Sequence, residues 1–164
     1  MGGTGQRNMQ AFIAVASEMG LGDLVPRHDD PQGERVDIVI EFEEGVPLST
    51  MEVGMWFPAD NTLRLSTGVI VPVSEPRKKM KRLLGAVNWL NQHLRWVSVW
   101  LDADRNVHAR ADTLLSDADP GHDAMRLFEL TIVTCADIRG TVMRAIAGDA
   151  DMAATHGSHA PTGE

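Results

Sequence analysis

The sequence predicts an α+β domain: a mainly antiparallel twisted sheet with helices chiefly on one face, in the element order α-β-β-β-α-β-β-α. Three observations predict it. Several stretches alternate apolar and polar residues, and the turns between them are short enough to require antiparallel neighbours. Three other stretches repeat apolar residues at helical spacing, one of them between two groups of strands. The chain has 164 residues, 43% hydrophobic and 23% charged, the size and composition of one globular domain that can bury its own core.

Residues 1–7 are glycine-rich and are expected to form a flexible leader. Gly2, Gly3 and Gly5 do not make a phosphate loop, because no strand precedes them and no G-K-[ST] follows. Met9, Phe12, Ala16 and Met19 space a helix over about 8–19, with Gly20 as a left-handed cap and Leu21 as its apolar contact. GDLVPRHDDPQG carries two prolines and several turn formers and reads as a loop. Strands are expected from Val36 to Phe42, from Met51 to Phe57 and from Leu63 to Val71, with a looser hairpin at EEGVPLST and a tight turn at PADN. Ser74 and Pro76 are suited to start a helix whose stripe is Met80, Leu83, Val87, Leu90 and Leu94. Two strands follow, Trp96–Leu101 and Val107–Asp112, joined by an acidic turn. Asp119-Pro120 opens the last helix, which Gly148 ends. The expected organisation is a single domain over 8–147 and a disordered tail over 148–164, where the chain is small, polar and aperiodic.

A net charge of −8 argues against nucleic acid or an anionic membrane as the main partner, since phosphate binding needs a basic surface. No run of 18 apolar residues is present, and MGGTGQRN has no apolar segment of the kind that directs secretion. The single Cys135 implies no disulfide framework. A cytoplasmic protein is expected.

Asp102, Asp104 and Asn106 stand at D-x-D-x-N spacing, but the glycine and glutamate that complete a calcium loop are replaced by Val107 and Thr113. A hairpin turn whose side chains bond to nearby backbone explains them better. The six histidines show no H-x-x-x-H pair on a helix, and no cysteine pair is available, so neither a metal nor a cofactor is expected. Cys135 lies on an apolar stripe and reads as packing. Glu41 and Glu43 lie on the outward face of a strand. Acid–base chemistry, if any, would fall to Glu41, Asp102 or His108, and these are not expected to meet in one cavity. No catalytic residue is assigned.

Two features point to binding. Arg77, Lys78 and Lys79, with Lys81 and Arg82, crowd the first turns of a helix, where positive charge opposes the dipole; they suit an acidic partner. Along RWVSVWL, Val97, Val99 and Leu101 take one face, and Trp96 and Trp100 take the other. Trp56 likewise points away from Met55 and Phe57, and Ile70 away from Val69 and Val71. If helices cover one sheet face, Trp56, Trp96 and Trp100 stand on the second, and tryptophan is typical of interfaces.

The stretch from Leu84 to Leu115 resembles the YbjN family, bacterial proteins with a fold like that of type III secretion chaperones. The resemblance rests on Asn88-Trp89-Leu90-Asn91 late in the helix, Leu101-Asp102-Ala103-Asp104 in the turn and Asp112-Thr113-Leu114 after it. The family often has a glycine in that turn, where this chain has Arg105-Asn106. The resemblance implies a non-enzymatic domain, chaperone-like or regulatory, that forms a homodimer or holds another protein. Asn88 and Asn91, at i and i+3, are expected to satisfy backbone groups at the turn into the next strand. The alternative is a small enzyme or ligand-binding domain with a pocket between sheet and helices.

Overall fold

The computed structural model describes residues 3–41, 50–72 and 77–148. Over these the chain forms α1 (Thr4–Glu18), β1 (Leu24–Arg27), β2 (Glu34–Glu41), β3 (Thr50–Phe57), β4 (Thr62–Thr67), α2 (Arg77–His93), β5 (Ser98–Leu101), β6 (Val107–Leu114) and α3 (Pro120–Ala147). The strands make one sheet in the order β1-β2-β3-β4-β6-β5, with every pairing antiparallel. This is the expected α+β class with the helices on one face.

Register explains why one face is apolar. Val36 pairs with Met55, Met55 with Leu65 and Leu65 with Ala111, a row across four strands whose members are all buried. The neighbouring row is Arg35, Trp56, Arg64 and Asp112, and none of these is buried. A one-residue slip would exchange the rows, so burial of the first row holds the register. Phe12 of α1 joins the layers, its ring centroid 5.9 Å from that of Phe57 and 6.4 Å from that of Phe128.

The caps follow the sequence. Gly20 has φ +73°, and the Leu21 N–H donates to the Ala16 carbonyl at 2.9 Å, closing α1 as a left-handed glycine cap does. Asp119 accepts from the His122 N–H at the start of α3, with Pro120 in the first turn.

Four elements differ from expectation. Leu24–Arg27, read as loop, pairs with β2. An edge strand uses half of its backbone groups and needs no buried face, so Pro26 and its turn-forming neighbours are tolerated there. The element order therefore has one strand more than expected, α-β-β-β-β-α-β-β-α. The first helix begins at Thr4 rather than near residue 8. Gly5 is buried, and a Cβ there would lie 2.2 Å from the Phe57 carbonyl oxygen, so its lack of a side chain serves close packing. β4 stops at Thr67, where the Gly68 N–H turns to the Glu52 carbonyl at 2.6 Å. The chain bends there, and Ile70 enters the core instead of standing on the second sheet face. Finally, β5 starts at Ser98, so Trp96 sits in a bend before the strand.

The expected Ser74 cap, Phe42, the EEGVPLST hairpin and the tail beyond Gly148 lie outside the described residues. Among the described residues no helix is long and apolar enough to cross a membrane. Cys135 is buried on α3, and desolvation pushes its thiol up to about 12, which makes it inert at neutral pH.

Candidate binding surfaces

The sheet face without helices carries Trp56 and Trp100. Trp56 is pinned. Its Nε1–H donates to Asp30 at 3.1 Å, and the Arg35 guanidinium sits 4.5 Å from its ring. The indole lies against Gly54, where a Cβ would come within 2.7 Å of it. Asp30 also accepts from the Gln32 N–H at 2.8 Å. That bond, followed by the one from Trp56, holds its carboxyl below the usual carboxylate range.

Trp100 stacks on His108 with centroids 4.5 Å apart and planes 17° from parallel. The β5–β6 register creates the pair by setting Trp100 opposite His108. One His108 nitrogen faces the Thr67 carbonyl at 3.2 Å and the other faces Asp102 at 3.1 Å. Asp102 accepts from the Asn106 amide and backbone N–H at 2.9 and 2.8 Å. The Asn106 amide bond is the main reason that its carboxyl is lowered to about 2, with His108 contributing. Asp102 therefore closes the turn, while Asp104 is exposed and forms no side-chain hydrogen bond among the described residues.

Within that turn Arg105 has φ +70°, a conformation that strains residues with a Cβ and that glycine adopts freely. Arg105→Gly is expected to stabilise the fold by about 0.5–1 kcal/mol, the lost left-handed strain being partly offset by a looser unfolded chain. A rise in the urea midpoint at unchanged slope is the readout.

Between the two indoles lies a trough of about 480 Å³, lined by Trp56, Arg64, Ser66, Ser98, Trp100 and Arg110 among others. Arg110 is committed to Asp112 through two bonds of 3.1 and 3.2 Å. Arg64 makes no hydrogen bond or ion pair among the described residues beyond a longer-range attraction to Asp60. The trough thus offers aromatic surface, small serines and one uncommitted guanidinium.

Trp96 stands at a corner of the molecule. It lies in the bend before β5 and shares a hollow with Ser98, Arg110 and Asp112 of the bare sheet face. It is 68% exposed and borders a groove of about 910 Å³ with Leu114, Leu127, Leu130 and Val133. Leu114 and Val133 are as open as Trp96, at 73% and 68%. α2 runs out beside this groove: Arg82 lies against Gly148 at the end of α3, and the shorter α2 stops before it can cover the first half of α3.

Asn91 has the structural role expected of it. Its amide donates to the Val99 carbonyl at 2.8 Å and accepts from the Val99 N–H at 2.7 Å. Asn88 does not share that role; it is exposed, and its side chain forms no hydrogen bond among the described residues. Of the basic cluster, Arg77 and Lys78 have side chains outside the described residues, and Lys79 is partly buried and already has a partner. Asp102 and His108 meet at 3.1 Å, but neither lines the trough or the groove, so the contact is not made in either cavity. Glu41 is exposed at the end of β2.

Sequence reasoning missed Arg64, Leu114, Leu130 and Val133. The available signal was a second set of apolar positions on α3, off the main stripe. Comparison with known proteins finds no family model, no curated protein and no solved structure that matches the chain.

Proposed function

We propose that the protein is a non-enzymatic protein-binding domain, chaperone-like or regulatory, that works as a homodimer and holds a partner segment on the bare sheet face. The observation that carries this reading is the Trp100 indole, 42% exposed beside a trough on a face that the chain's own helices leave open. Arg64 in the same trough favours a segment that combines an apolar side chain with an acidic one. The resemblance of Leu84–Leu115 to the YbjN family agrees with a role in holding other proteins, although β1 lengthens the element order beyond that family's. A non-catalytic role accords with the Asp102–His108 pair: both ring nitrogens of His108 are already engaged, and the pair borders neither concavity. The buried thiol of Cys135 suits a reducing, cytoplasmic setting.

Covering one large apolar side chain is worth about 1.5–3 kcal/mol before the cost of association. One indole is therefore a weak anchor, and two copies in a dimer would raise avidity without new contacts. The test is a peptide array probed with the whole chain and with Trp100→Ala. Peptides pairing an aromatic or branched apolar residue with Asp or Glu are expected to bind. Loss of Trp100 is expected to weaken them by about 10-fold or more, as removal of an anchor does. A blank array, or identical binding by the variant, would overturn the reading.

A further inference from the structure

We propose that the groove beside Trp96 receives a second copy of this chain, across a two-fold axis that runs normal to the sheet next to β6. The inference deepens the homodimer reading above and rests on it. Two independent features lead to it.

The first is an open sheet edge. β5 pairs with β6 only from Val107 to Arg110, whereas β4 pairs with β6 as far as Leu114. The parity of the open part follows from two side chains. Thr67 on β4 takes the Ala109 N–H at 2.9 Å, so the backbone groups of Ala109 face β4. Asn91 takes both backbone groups of Val99, so they face away from β6. Successive residues alternate, and the backbone groups of Asp112 and Leu114 therefore point into the slot that β5 leaves empty. Among the described residues the one side-chain hydrogen bond there is a long one of 3.5 Å from the Thr113 hydroxyl to the Leu114 carbonyl, and Trp96 borders the slot. Such an edge invites another strand.

The second feature is a self-complementary stripe on α3, which packs over β6. Arg126, Leu130, Val133 and Asp137 fall at i, i+4, i+7 and i+11, and all four are exposed. Arg126 and Asp137 form no ion pair among the described residues. In an antiparallel pairing of α3 with itself, the axis that sets Leu130 against Val133 of the copy also sets Arg126 against Asp137 of the copy. The pattern is symmetric in position and opposite in charge, which is the requirement of an isologous interface. A one-sided peptide ligand has no need of that symmetry. The same axis brings the two open β6 edges side by side on the sheet below.

Sedimentation velocity of the full chain over a range of concentrations tests the proposal, with Arg126→Asp, Asp137→Arg, the double reversal and Val133→Glu. A wild-type dimer is expected. Each single reversal should raise its Kd about 10-fold or more, and the double reversal should return it to within a few-fold. Val133→Glu should give monomer throughout. All three substituted positions are at the surface, and melting curves of the variants should match the wild type at low concentration. A wild-type dimer indifferent to Val133→Glu and to the single reversals would place the interface elsewhere and leave the homodimer reading standing. Single reversals that dissociate the dimer without rescue by the double would reject the two-fold register. A wild-type monomer at all concentrations would remove both the proposal and the homodimer.

Discussion

Asn91→Ala is expected to destabilise the fold by about 2 kcal/mol, two hydrogen bonds at roughly 1 kcal/mol each. For a domain of this size that corresponds to a fall in Tm of roughly 4–8 °C. The reason is the position of β5, a strand of four residues at the sheet edge. Ser98 and Trp100 turn their backbone groups to β6, and Val99 turns its own outward, where Asn91 supplies a donor at 2.8 Å and an acceptor at 2.7 Å. The amide stands in for a residue of a further strand and blunts the edge. Asn91 is exposed, so water can reach the freed groups and the loss stays near the sum of the two bonds. Asn91→Asp would keep an acceptor for the Val99 N–H but set a carboxylate against the Val99 carbonyl, and should be no better than alanine at neutral pH. Hydrogen exchange checks the mechanism. The Val99 amide should exchange much faster in Asn91→Ala, while the Ala109 amide, held by Thr67 on the other side of β6, keeps its protection. Asn88→Ala is the control and should cost less than about 0.5 kcal/mol, as surface changes do. Equal effects of the two substitutions would refute the capping role.

Periodicity in the sequence carried most of the elements, because each of them buries a face. It also carried the caps at Gly20 and Gly148 and the backbone role of Asn91. What it did not carry shares a physical cause. β1 buries almost nothing, so no apolar alternation marks it and Pro26 argues against it. Trp96 was legible as an exposed indole, but its second neighbourhood, the groove along α3, was not, because it depends on the bend by which the chain leaves α2 before β5 begins. The exposure of Leu114, Leu130 and Val133 depends on where α2 runs out relative to α3, a relation between distant elements that no local pattern records. The contact of Asp102 with His108 depends on hairpin register, which sets Trp100 opposite His108 and leaves Asp102 within reach. Local chemistry was therefore legible, whereas surfaces made by the absence of a neighbour were not.

Gly121→Ala is expected to cost more, about 2–3 kcal/mol net, in the range for overpacking a core by one methyl group. Gly121 is buried in the first turn of α3. A Cβ there would lie 2.6 Å from the Ala11 carbonyl oxygen, 2.9 Å from its carbon and 3.0 Å from a methyl of Val15. Two of these three atoms are backbone in the middle of α1, held by the helix and unable to swing aside. The two helices would have to part, and they share the Phe12–Phe128 contact at 6.4 Å, so separation loosens the junction that joins both helices to the sheet. Alanine is the better helix former by about 1 kcal/mol, which offsets part of the loss. Gly85→Ala isolates that term: Gly85 lies in α2, and a Cβ there would meet nothing within 4 Å, so the same substitution should raise stability by about 0.5–1 kcal/mol. Opposite signs at the two positions, read from denaturant midpoints, are the expected result; the same sign at both would mean that α1 and α3 are not in the close contact described. Because α3 also carries Leu130 and Val133, a shift at its first turn should weaken self-association as well, and Gly121→Ala should raise the dimer Kd while Gly85→Ala leaves it unchanged.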